Sequence, residues 1–316
     1  MAKEACSIVS SIRSEERRVI WKTEGNPELN ENEMFPGMMF NVAKEQMEST
    51  KLWQIVRKMP KGAVLHAHLG ATVELDWVFE KALSTPGMHM SAPGPLSSEK
   101  TRETSLIKFQ YTGIPFKRVP SIWSLEYPPD TLVPIKMAAE TFPNGGQNGF
   151  IAWMKDRCSI TQSESLQHHL GVDDVWRKLQ MAFVILGPLI YYEPILREFV
   201  QKLFLTLRED GVRWLEGRTM FSLAFTLEGS ETPTRGALEL CRVLDEEAEK
   251  FMASEKAKEF WGVRFIWTSL RSHDTATLIE GESLKMQSRW NAPNSDRYPN
   301  RYEVVYRGEK TISKIY

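Results

Sequence analysis

The sequence predicts an α/β fold built on a parallel sheet, and three observations predict it. Short apolar runs at Ala63–His68, Val212–Glu216 and Val263–Trp267 have strand character. Amphipathic stretches of helical spacing lie between them. The order is strand, long helical stretch, strand, helix, strand. Such crossovers belong either to a doubly wound sheet or to a barrel. With 316 residues, 42% of them apolar, the chain can bury a sizeable core.

Residues 1–57 read as a charged helical lead-in, broken where Glu28, Glu31, Glu33, Pro36 and Gly37 cluster. The pattern then returns, with Val42, Met47, Leu52, Ile55 and Val56 on one side. Met59-Pro60-Lys61-Gly62 ends it, since Pro and Gly resist helix continuation. Ala63–His68 is the first strand, and a helix comes after it at Val73–Ala82. Residues 84–98, rich in Ser, Pro and Gly, are expected to be loop. The aromatic stretch 107–150 reads as a long ordered excursion, because its rings need burial. Gly171–Phe183 reads as helix. The run Met181–Tyr192 is too short to span a bilayer and is expected to be a buried helix end.

In Tyr192–Leu207 the apolar residues Leu196, Phe199, Val200, Leu203, Phe204 and Leu207 recur mostly at spacings of three and four, which predicts a helix. Asp210-Gly211 ends it before the second strand. Thr232-Pro233 is expected to start the next helix, with Leu238, Cys241, Leu244, Ala248 and Phe251 buried. The third strand is Val263–Trp267. From Asn291 the character changes. The short run Tyr302–Tyr306 is not expected to continue the crossover rhythm, so three parallel strands are placed.

Lys plus Arg is 40 and Asp plus Glu is 41, which excludes a broadly basic nucleic-acid binder. The first twenty residues lack a secretory apolar run, so a cytoplasmic, non-membrane protein is the default expectation. Cys6, Cys158 and Cys241 are too few for a disulfide framework. No Gly-x-Gly-x-x-Gly, phosphate loop or Gly-x-Ser-x-Gly occurs. Cys158 has no histidine motif around it, which argues against a cysteine nucleophile.

Six histidines remain. His66 and His68 stand at i and i+2 at a strand's C-terminal end, where both rings can converge on one metal ion. Ordinary packing or surface histidines are the competing reading. His89 in its Met-flanked loop is expected to be solvated. His168 and His169 read as capping or surface residues. His273 and Asp274, after Arg271, either form a turn or reach a pocket at the sheet's C-terminal edge. Glu216 is expected to pair with Arg218 or Arg271, as a structural or a substrate-orienting group.

Beginning at Met59–Ala71, MPKGAVLHAHLGA, the chain resembles the secreted-type adenosine deaminases, also called adenosine deaminase-related growth factors, within the metal-dependent amidohydrolases. FPGMMFNVAKEQMESTKLW, SLEYPPDTLVPIKMAAETFPNGGQNGF, HHLGVDDVWRKLQ, YYEPILREFVQKLFLTLREDGVRWLEGR and GVRFIWTSLRSHD carry the resemblance over about residues 20 to 285. It implies a TIM-type (β/α)8 barrel, here incomplete at about three of eight strands, with a large mainly helical insertion. The implied organisation is a lead-in at 1–57, a partial barrel at 58–290 with the insertion at about 84–190, and a divergent tail at 291–316.

The resemblance also implies one Zn2+ ion in a complete relative, with His66 and His68 as ligands here; two histidines alone make an open site, so in this chain the ion is expected to be weakly held or absent. It implies adenosine or a related purine nucleoside as partner, and hydrolysis of adenosine to inosine and ammonia by a zinc-activated water. Some relatives are secreted. Gly70 stands where cytosolic and fungal relatives carry a ribose-holding Asp. The family's His-Ala-Gly-Glu run, its Gly-His-Gly-type motif and its last metal-binding Asp have no counterpart in this sequence. No catalytic acid or base is assigned, and this chain is expected to be inactive, as a truncated deaminase or a non-catalytic nucleoside- or protein-binding product.

Overall fold

The computed structural model describes residues 2–21, 38–115, 118–165, 171–220, 223–234, 237–268 and the backbone of 302–304. The chain begins with α1 (Ala2–Val19), α2 (Phe40–Glu48) and α3 (Lys51–Lys58). The sequence pattern runs continuously through 41–59, but Thr50 divides it. Its hydroxyl accepts from the Trp53 amide at 3.0 Å and caps α3. The expected break at Glu28–Gly37 lies outside the described residues.

Strand β1 (Gly62–His68) runs into a 3-10 turn at Leu69–Ala71 and then α4 (Leu75–Ser84). Helix α4 buries Val78, Phe79, Ala82 and Leu83. The segment after α4 departs from expectation. The 84–98 stretch expected to be loop holds β2 (Met88–Ser91), α5 (Glu99–Thr104) comes just after it, and the expected ordered excursion from 107 holds β3 (Lys108–Tyr111), β4 (Val133–Pro134) and α6 (Ile135–Glu140). The three strands form a small antiparallel sheet in the order β3-β2-β4. Strands of four, four and two residues are too short to show alternation, and all four residues of β2 are buried. His89 belongs to β2. Its expected solvation is corrected: it is buried, with Nδ1 2.9 Å from the Gly87 carbonyl.

Next come α7 (Gly146–Cys158) and α8 (Gln162–Ser165). The Gly145-Gly146 pair starts α7 in left-handed backbone conformations, with φ of 98° and 57°. Gly149 lies so close to the Asn144 carbonyl that a Cβ would stand 1.8 Å from its oxygen. Phe142 and Phe150 of this region are buried, and the partly buried Trp123 and Trp153 pack with them, ring centroids 5.0–6.3 Å apart. Helix α9 (Gly171–Ile190) carries Pro188 inside it. Ala182, Ile185, Leu186, Leu189 and Ile190 are buried, as expected for this run, but Phe183 and Val184 are exposed.

Helix α10 (Glu193–Glu209) buries the predicted stripe except for its last member, and Gly211 turns the chain with φ 84° into β5 (Val212–Thr219). Helix α11 (Leu238–Met252) starts later than Thr232-Pro233 predicts, and Leu238 is exposed rather than buried. Strand β6 (Gly262–Trp267) comes next. The run at Tyr302 does extend the sheet: β7 (Tyr302–Val304) pairs parallel with β6.

The main sheet is parallel, in the order β1-β5-β6-β7. Helices α10 and α11 lie against the side of it that carries Leu215 and Phe265. Phe199, Phe204, Leu244 and Phe251 fill the space between. The described chain is thus a mixed α/β fold with two small sheets, and among the described residues no eight-stranded closure forms.

Candidate metal centre

The C-terminal end of β1 brings His66 and His68 together. Both side chains are exposed, with ring centroids 5.4 Å apart and planes inclined at 58°. Their neighbour on β5 is Arg218, the register partner of His68. Arg218 is buried, and its Nη1 donates to the Leu65 carbonyl at 2.8 Å. The expected Glu216–Arg218 ion pair does not form among the described residues; the guanidinium bonds backbone instead. Arg264, the register partner of Glu216, stands 6.0 Å from the Trp214 ring as a cation–π contact.

The electrostatics favour a neutral imidazole. Partial shielding from water, then the proximity of His66 and of Arg218, pushes His68 below the ordinary imidazole value of 6.5. A ring that is neutral near pH 7 keeps a lone pair for a metal ion. The donor set therefore suits zinc as far as it goes, two imidazoles being half of a tetrahedral shell. Among the described residues no group of three or more His, Cys, Asp or Glu is placed to complete it. His168, His169, Arg271, His273 and Asp274 lie outside the described residues.

The turn after His68 shapes the rest of the site. Gly70 lies in the 3-10 segment, where a Cβ would meet the Phe183 ring at 3.8 Å, an ordinary contact. The backbone there does not demand glycine. Phe183 belongs to a row of exposed apolar residues on α9 with Val172, Val175, Trp176 and Leu179. The sequence reading missed this row, although its spacing of three and four was visible from Val172 onward. Burial pushes the Cys158 thiol up to about 12, which disfavours the thiolate that a nucleophile needs. No described helix is long and apolar enough to cross a membrane.

No protein-family model matches the chain. Curated relatives do. Human "Adenosine deaminase 2" is 26% identical over 270 residues, which cover 82% of this chain and 46% of that protein. "Adenosine deaminase" of Lutzomyia longipalpis is 23% identical over 232 residues, covering 73% and 41%. "Adenosine deaminase 2-A" of Danio rerio is 20% identical over 263 residues, covering 82% and 47%. The chain is a distant homologue of the adenosine deaminases. It spans about half the length of the curated relatives it matches. The resemblance in the sequence motifs is supported at that level.

Proposed function

We propose that this chain carries the metal-binding part of a zinc-dependent adenosine deaminase and that the 316 residues alone do not turn adenosine over. One observation carries the reading: a chain homologous to adenosine deaminases presents two imidazoles 5.4 Å apart at the C-terminal end of a parallel strand. Strand C-terminal edges are where α/β enzymes place their chemistry. His66 and His68 would hold the ion through ring nitrogens. Zinc, when bound, supplies Lewis acidity toward a water molecule. Arg218 fixes backbone beside the pair, and Phe183, on the exposed apolar row of α9 beside Gly70, would offer apolar contact to a purine ring. Among the described residues no side chain is assigned the general acid or base that hydrolytic deamination needs. The chain then binds adenosine or a related purine nucleoside without releasing inosine.

Isothermal titration of the zinc-supplemented chain with adenosine, paired with an inosine assay, tests this. Binding without inosine is the expected result. Inosine formation that a chelator abolishes would show that the acid and base lie within these 316 residues. Absence of both binding and turnover would remove the nucleoside reading.

A further inference from the structure

β1 is irregular where it carries the histidines. Val64 pairs with Leu215, and Ala67 pairs with Gly217. Between those pairs stand two residues of β1, Leu65 and His66, against one of β5, Glu216. This is a β-bulge, and it reverses the alternation of side chains. Val64 and Ala67, three residues apart, both pack against the core. In a regular strand Val64, His66 and His68 would share one face, and the histidines would point with Val64 toward the helices. The bulge instead leaves both rings exposed on the side of Arg218.

Something must hold the extra residue, because a bulge disrupts the ladder around it. The carbonyl of Leu65, one of the two bulged residues, accepts from Arg218 Nη1 at 2.8 Å. Arg218 is buried and carries five donors, and a buried guanidinium on a backbone oxygen is a costly arrangement for packing alone. We propose that Arg218 is a positioning residue: it clips the β1 bulge and so sets the aim of His66 and His68. For its functional meaning this rests on reading the pair as zinc ligands. The geometric part does not.

The test uses the full chain and the variants R218M and R218K. Without metal, amide hydrogen exchange over residues 65–67 is expected to be about tenfold faster in R218M, with the melting midpoint little changed. Unchanged exchange would overturn the proposal. With zinc, R218M is expected to bind about 10- to 100-fold more weakly, the range typical of groups that orient metal ligands. R218K, which keeps a donor for the carbonyl, recovers part of the loss. Zinc affinity equal to that of the unsubstituted chain would overturn the claim about aim. If the unsubstituted chain takes up no zinc, the ligand reading fails, while exchange still decides whether Arg218 holds the bulge. If R218M does not fold, R218Q is measured in its place, since its shorter side chain cannot reach Leu65; the same outcomes decide.

Discussion

Gly70 separates what the backbone requires from what the chemistry does. Its φ lies outside the left-handed region and a Cβ has room beside Phe183. Gly70→Asp should therefore fold with a stability change of no more than about 1 kcal/mol. On the deaminase reading it should also tighten nucleoside binding severalfold, as read by titration calorimetry. Unchanged affinity would mean that the ribose is held elsewhere. At this scale the sequence told much. The His-x-His pair was visible, and so was its place at a strand end. Its aim was not, because Val64-Leu65-His66-Ala67-His68 reads as uninterrupted strand, and a bulge shows only against the register of β5. The burial of His89 was hidden for a similar reason: four buried residues in a row give no period.

Helices α10 and α11 are locked by charge as well as by packing. Arg197 donates to Glu193 on its own helix and to Glu246 and Glu247 on α11, at 2.8–3.0 Å. Glu247 is buried, and without Arg197 it keeps only the Gln201 amide at 2.8 Å and the more distant Lys250 ammonium at 3.5 Å. Arg197→Met should cost about 2 kcal/mol, the range of a hydrogen bond to a charged group, measured by urea unfolding. The joint variant Arg197→Met with Glu247→Met should recover part of that loss. A single variant as stable as the parent would show the clamp to be ornamental. The helices themselves were legible from their three- and four-residue spacing. The small antiparallel sheet was not, for its pairing depends on partners up to about 45 residues apart, from His89 to Pro134.

Acid should weaken the whole molecule. The Arg197 hydrogen bond holds Glu246 below the ordinary carboxylate value of 4.5. Burial alone would raise Glu164, but bonds from Lys178 and Thr161 outweigh it and hold it low as well. A carboxylate depressed in the folded state contributes stability that is full above its unfolded pKa and lost as pH falls through its folded pKa. The urea midpoint should fall on acidification from about pH 5 to about pH 3. Glu246→Gln should flatten that slope, and a slope identical to the parent's would reject this source. At this scale the sequence conveyed an α/β chain with a parallel sheet and three of its four strands. Barrel closure needs strand pairings that the described residues do not contain.

The most direct measurement is the zinc content of the purified 316-residue chain after metal loading and dialysis, set beside the double variant His66→Ala, His68→Ala. Bound zinc, up to one ion per chain, is expected in the parent and none in the variant, with similar circular dichroism. Zinc retained equally by both, or absent from both, would contradict the metal centre on β1.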